Sequence, residues 1–352
     1  MGVPKLWEIL GPAAEPRSLL NLATIEGFQR KSQGRRTLTI GVDIRQAGGV
    51  LNITASLMLE KLFYQLSNFL LAPITFVFIF DGPGRPSVKR GTQVIHRQAE
   101  FMQYLKAMIV NFGFHYYEAS PSEAELAELN SHGEIDAIIT EDSDAFIFGA
   151  ECLIKSSRSS VQHISMIYTQ DSIESTEGVT LGKNDMFLCA LLLGGDYHAG
   201  VSGAGIMITQ TLAAQGFGER LVNILRSYKG SELEVHLSSW RDDLRQELRH
   251  NLSGTLNKRH PKLADNIPET FPSRSVSELY LNPLTSRSPQ FLGPMPDISS
   301  WMPREPNIPA ITAFCCSRFG WNGEYLLKKF NTNLWPGVAF KLISSVSLSF
   351  VF

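Results

Sequence analysis

"ITEDSDAF", residues 139–146, decides how this chain is read. It closes one apolar run, residues 135–139, and opens another, residues 146–148, yet it crowds Glu141, Asp142 and Asp144 between them. Working outward, residues 37–42 (TLTIGV) alternate like a strand and end at Asp43. Residues 74–80 (ITFVFIF) form a continuous apolar run, as in a strand buried on both faces, and end at Asp81. The run at 135–140 makes a third strand. Between these strands, residues 53–71 place Leu59, Leu62, Phe63, Leu66, Phe69 and Leu70 at helical spacing, and further helical segments fall near 92–111 and 122–131. Strand and helix in alternation predict an α/β fold built on a parallel sheet. Ligands gather at the carboxyl ends of such strands, which is where all three acidic clusters fall.

Composition bounds the rest. A chain of 352 residues with 43% hydrophobic content can bury one large core or two smaller ones. Its net charge of -2 neither favours nor excludes a nucleic-acid partner, so any basic surface must be local. Cys152, Cys189, Cys315 and Cys316 lack metal-site spacing and suit a reducing compartment. The N-terminus lacks the pattern of a secretory signal, and no stretch reaches the roughly 20 apolar residues of a membrane helix. Beyond residue 180, Asn184 can cap a helix to 193, followed by GGDYHAGVSGAG and a second helix over 206–215. Residues 240–251 (WRDDLRQELRHN) read as a charged helix. Residues 261–309, rich in Pro and Ser, are expected to be a loop packed on the core, and 308–340 to be helical.

The acids pose a chemical question, because so many buried carboxylates raise one another's pKa and destabilise a fold. Bound cations remove that objection. Hydrolysis of a phosphodiester by two metals needs hard oxygen ligands from separate strand ends, holding ions about 4 Å apart. This chain offers Asp43, Asp81, Glu123 with Glu125, Asp142 with Asp144, and Asp196. Taken singly, each is as well explained as a turn former or helix cap. Their convergence from different segments favours the metal.

Five motifs in order, MGVPKLWEIL at the N-terminus, FIFDGPGRPSVKR at 78–90, SEAELAELN at 122–130, ITEDSDAFIFGA at 139–150 and LLLGGDYHAGVSGAG at 191–205, resemble the flap endonuclease and xeroderma pigmentosum G superfamily of structure-specific nucleases. Residues 304–338 look like the region after the core in fungal members of its Holliday junction resolvase (GEN/Yen) branch. The resemblance implies a PIN-like nuclease, with a central mostly parallel sheet flanked by helices, a helix-two-turn-helix module at 185–215 and a C-terminal helical extension. Its regions would be 1–110, 111–217 and 218–352, the last partly loop-rich. It implies that Asp43, Asp81, Glu123, Glu125, Asp142, Asp144 and Asp196 hold two Mg²⁺ ions, for which Mn²⁺ can substitute. DNA would be met at Gly2, Lys89, Arg90, Arg97, Gly200, Gly203 and Gly205, the glycines letting backbone N–H groups approach phosphate. The implied partner is branched or flapped DNA, with dimerisation on four-way junctions left open, and the implied compartment is the nucleus.

The chain departs from the family pattern in four places. The segment after Asp43, VDIRQAGGVLN, is short; SEAEL is two residues shorter than the usual acidic-helix motif; Ile206 and Met207 stand where Pro-Lys is typical; and Lys5 stands where glycine is usual. Which two of Glu123, Glu125 and Glu128 face metal is therefore open. So is the choice among a resolvase, a flap or bubble endonuclease, and a branched-DNA-binding paralogue with impaired catalysis.

Overall fold

The computed structural model describes residues 2–30, 37–44, 55–82, 88–89, 92–93, 99–119, 122–156 and 164–349. In chain order, α1 (Leu6–Leu10), β1 (Glu15–Ser18) and α2 (Leu19–Leu22) precede β2 (Leu38–Asp43), α3 (Ala55–Phe69) and β3 (Ile74–Asp81). A short hairpin of β4 (Val88–Lys89) and β5 (Thr92–Gln93) leads to α4 (Ala99–Asn111), β6 (His115–Ala119), α5 (Ser122–Ser131) and β7 (Ala137–Ile139). Then come α6 (Asp144–Phe148), β8 (Cys152–Ser156), β9 (Ile164–Thr169), α7 (Gln170–Ser175), α8 (Lys183–Leu193), α9 (Ile206–Ala214), α10 (Phe217–Ser227) and α11 (Gly230–His250). Among the described residues the α-helices α12 (Pro261–Asn266), α13 (Arg274–Leu281), α14 (Ile308–Phe319), α15 (Gly323–Lys329) and α16 (Trp335–Ser349) follow.

Seven strands form one sheet in the order β1-β9-β8-β7-β2-β3-β6. The pairings β8–β7, β7–β2, β2–β3 and β3–β6 are parallel, while β9 runs antiparallel to both β8 and β1. The sheet is thus mostly parallel, as expected, with an antiparallel edge. Strand periodicity sorts its side chains into two cores. Along β3, Phe76, Phe78 and Phe80 enter the core shared with α3 and α4, while Val77 and Ile79 enter the core on the other face. On β2, Leu38, Ile40 and Val42 join the first set, so Thr39, Gly41 and Asp43 face the other way. There α5 comes close, since a methyl group at Gly41 would overlap the ends of Leu126 and Ile135. The same alternation puts Asp81 and Thr140 on the α5 side. One face of the sheet therefore collects every acid-bearing strand end, and the helix carrying Glu123 lies across it.

The C-terminal extension is part of both cores. Residues from α10, α11 and α13 complete the core on the α5 side, and Ile311, Cys315, Trp321, Leu326, Phe330, Leu334 and Val338 complete the other. The stretch expected to be loop, 261–309, contains α12 and α13. Ser273 starts α13 as an N-cap, its hydroxyl accepting from the Val276 N–H, which outweighs the Pro and Ser content around it. The four cysteines are free thiols. Among the described residues, no helix is long and apolar enough to cross a membrane.

Candidate active site

At the carboxyl ends of the parallel strands, Glu123, Asp142 and Asp196 each offer a carboxylate oxygen, and these oxygens all lie within 4.8 Å of one another. All three residues are buried. They arrive from α5, from the loop after β7 and from the loop after α8, so the cluster depends on the whole fold rather than on one motif. Asp144, at the start of α6, stands behind them. Burial pushes its carboxyl well above the usual range, and Asp142, Asp196 and Glu123 push it further, while an N–H from Val3 pulls the other way. Its Oδ1 has no hydrogen-bond partner among the described residues. A buried group of hard oxygen donors with this much mutual repulsion fits a divalent cation, and nothing softer than oxygen is in the set.

The remaining acids are placed differently. Asp43 is fully buried at the end of β2, its Oδ2 accepting from the Thr140 hydroxyl at 3.3 Å. Asp81 accepts from both the N–H (3.1 Å) and the hydroxyl (2.7 Å) of Ser122, so it fixes the start of the helix that carries Glu123. Glu125 is buried but is absent from the close trio. Its Oε2 accepts from the Ser286 N–H at 2.7 Å, and burial raises its pKa. Two positions apart on a helix is about 200° of rotation, which turns Glu125 away from the point Glu123 faces.

Backbone and aromatic groups shape the acid loop. The Thr140 hydroxyl accepts from the Asp142 N–H at 3.0 Å, and Asp142 Oδ1 accepts from the Asp144 N–H at 3.2 Å, folding 140–144 into a tight acid-bearing turn. Gly2, with φ +80°, lies directly against this turn; an added methyl would fall 2.7 Å from Ser143 Oγ and 2.8 Å from Asp144 Oδ1. Trp7 ties α1 to the same place by donating its indole N–H to the Glu141 carbonyl at 2.9 Å. Tyr280, from α13, reaches in from the far side, its hydroxyl 3.4 Å from Asp144 Oδ2 and packed against Gly195. Its ring is buried among Phe148, Phe187 and Tyr197. Neither Trp7 nor Tyr280 was marked by local pattern; only the indole in a short helix of leucine, isoleucine and one glutamate could have drawn attention to the former.

The DNA-contact expectations divide. Gly200, with φ +79°, packs on the backbone of Leu192 to Gly194 and closes the turn after α8, where Val201 N–H donates to the Leu192 carbonyl at 2.8 Å. Gly203 is exposed, and Gly205 is the N-cap of α9 with open space beside it. Lys89 sits in β4, but its side chain, Arg90 and Arg97 lie outside the described residues. Lys5 holds φ 65°, the left-handed conformation in which glycine costs least.

With its acid-lined sheet end, the chain is similar in sequence and in fold to nucleases of the XPG and flap endonuclease type. The family model of the XPG I-region matches residues 113–196, which span β6 to Asp196. The DNA excision repair protein ERCC-5 homolog of Xenopus laevis is 29% identical over 215 residues, covering 60% of this chain and 16% of the relative. The chain is also similar to proteins of the GEN type. Flap endonuclease GEN homolog 1 of Homo sapiens is 24% identical over 270 residues, 69% of this chain and 27% of that protein. The crystal structure of the Holliday junction-resolving enzyme GEN1 in complex with product DNA and Mg²⁺ matches with a TM-score of 0.72 and 27% identity, over 96% of this chain and 78% of that one. The chain therefore spans between a sixth and about a quarter of the length of these two curated relatives.

Proposed function

We propose that the chain is a Mg²⁺-dependent, structure-specific endonuclease that hydrolyses phosphodiesters where DNA branches, at a four-way junction or a 5′ flap. One observation carries the reading: Glu123, Asp142 and Asp196 converge from three separate segments, buried, with oxygens within 4.8 Å of one another. These three, with Asp144, Asp43 and Asp81, would hold two divalent ions, Mg²⁺ or Mn²⁺. When bound, such ions lower the pKa of an attacking water and neutralise charge on the leaving oxygen. The protein's own residues do the rest. Ser122 and Asp81 fix the pitch of α5, the 140–144 turn presents Asp142, and Tyr280 and Gly2 close the back of the site so that its open side faces the scissile phosphate. The helix-two-turn-helix at 185–215, with its exposed turn at Gly203, grips duplex backbone, and Lys89, Arg90 and Arg97 meet phosphates nearer the cut. The relatives' repair names support a nuclear role, and two copies acting on a four-way junction would produce paired nicks.

A second reading has its own observation. Glu125, which the superfamily pattern makes a ligand, is held by Ser286 instead, as expected of a branched-DNA binder with impaired catalysis. The test is cleavage of end-labelled 5′-flap and four-way substrates at millimolar Mg²⁺ by the wild type and Asp142→Ala. Symmetric paired nicks on the junction, abolished by the substitution while affinity persists, support the resolvase reading. Cutting of the flap alone supports the flap endonuclease, and tight binding without cutting supports the impaired binder. Unchanged turnover in Asp142→Ala removes Asp142 from the site.

A further inference from the structure

Between Lys183 and Arg220 the sequence contains no lysine or arginine. The proposed duplex-gripping module, α8 to α9, is therefore without cations over its whole turn, and α9 opens with Ile206 and an exposed Met207. Backbone N–H groups position a phosphate, but most of the affinity for duplex DNA comes from neutralising phosphates with Lys and Arg. A module of this kind needs its charge from elsewhere in the fold.

The loop between α11 and α12 supplies it. Together with the first turn of α12 it reads LNKRHPK at 256–262 and carries Lys258, Arg259 and Lys262, all exposed. None of the three forms an ion pair or hydrogen bond with any described residue. The acids that follow in the chain pair elsewhere: Asp265 with Arg249 at 2.6 Å, and Glu269 with Arg245 at 2.8 Å. The loop is also fixed to both ends of α9. At one end, Asn266 donates its amide to the Ser202 carbonyl at 2.9 Å, and Leu263 lies beside Gly203. At the other, Gln215 donates to Ser253 Oγ at 3.0 Å and to Glu247 at 3.1 Å. Within the loop, Asn251 and Leu256 exchange two hydrogen bonds of 2.8 and 3.0 Å, and the His260 N–H donates to the Leu248 carbonyl at 2.6 Å. Three uncompensated cations are thus held in a fixed place next to a cation-free turn.

We infer that Lys258, Arg259 and Lys262 form the phosphate-neutralising half of a duplex DNA surface whose other half is the Gly203 turn. The partner is the double-stranded arm of a branched substrate, read through its backbone without base specificity. This inference rests on the DNA-nuclease reading above.

The experiment uses the full chain in EDTA, so that DNA is bound and not cut. Anisotropy of a fluorescein-labelled four-way junction and of a linear duplex is followed from low to moderate KCl for the wild type, Arg259→Gln, and the triple variant Lys258→Gln, Arg259→Gln, Lys262→Gln. The triple variant should bind both probes roughly tenfold more weakly at low salt, and its slope of log affinity against log salt should be shallower by about two to three. Arg259→Gln alone, a change at an exposed side chain with no hydrogen bond to lose, should reduce the slope by about one. Wild-type slopes in both variants overturn the inference and leave the nuclease reading standing. Failure of the wild type to bind either probe overturns both.

Discussion

The loop from Gly194 to Gly205 joins two regions that handle charge in opposite ways. At Asp196 the chain buries a carboxylate among others, at a cost to the fold that a cation would offset. At Gly203 it is exposed and neutral, and its charge is borrowed from the loop at 256–262. The first region stores repulsion that a bound cation would relieve, so occupancy and stability should be coupled there. In the second, ligand binding should be salt-dependent and leave stability almost untouched.

The largest effect that could break this contrast comes from Asp196→Asn. Cleavage of branched DNA at millimolar Mg²⁺ should fall by at least about a hundredfold. The metal-free protein should nonetheless melt at a higher temperature than wild type, because one charge of a buried like-charged group is gone. Scanning calorimetry in EDTA beside a gel cleavage assay checks both. A variant that loses activity and stability together would mean that the acids are structural.

Proton linkage sharpens the same point. The carboxyls of Asp144 and Glu125 have folded-state pKa values raised by burial. Above the ordinary carboxylate range the folded metal-free protein therefore holds more protons than the unfolded chain, and its stability falls as pH rises toward the raised values. Mg²⁺ held at the cluster beside Asp144 would favour the ionised form of that carboxyl and reverse the trend. The melting-temperature gain on adding millimolar Mg²⁺ should be larger at about pH 8 than at about pH 5.5. A gain independent of pH would detach the metal from Asp144.

A steric probe isolates the wall between the two regions. A methyl at Gly195 would overlap the Tyr280 hydroxyl, so Gly195→Ala should cost about 1–3 kcal/mol in urea unfolding. Adding Tyr280→Phe removes the overlapping atom and should recover part of the loss. If the double variant is no more stable than Gly195→Ala, the overlap is not the cause.

Much of this site was legible because its parts are local. Asp43 and Asp81 end strands whose apolar runs announce them, and β-alternation then dictates that both face α5. What escaped depends on contacts between distant segments. The Tyr280 to Asp144 contact links residues 136 apart, and the turn of Glu125 toward Ser286 links residues 161 apart. No periodicity encodes either. The antiparallel edge was hidden too, since β1 reads Glu15, Pro16, Arg17 and Ser18, the composition of an edge rather than of a core strand. Pro and Ser likewise masked α12 and α13, where Pro261 sits at the first helical position and Ser273 caps, places at which those residues favour a helix.

The smallest effect lies far from the site and serves as the control for the comparison. Lys341, in α16, is lowered to about 8 by burial, with Glu305 acting weakly the other way, and its ammonium lies 5.2 Å from the Phe114 ring centre. A lysine whose folded pKa is depressed costs stability at neutral pH, where it is charged in both states. That cost is recovered as pH rises from about 8 toward 10.5, because there the unfolded chain binds the extra proton. Lys341→Met keeps the apolar stem and removes the charge, so it should stabilise the protein by about 1 kcal/mol at neutral pH after allowing for solvent screening, and by progressively less toward pH 10. Urea unfolding at several pH values measures this. Mg²⁺ should not alter the difference, since Lys341 belongs to the core on the opposite face of the sheet from the acids; a Mg²⁺-dependent difference would show that the two faces are coupled.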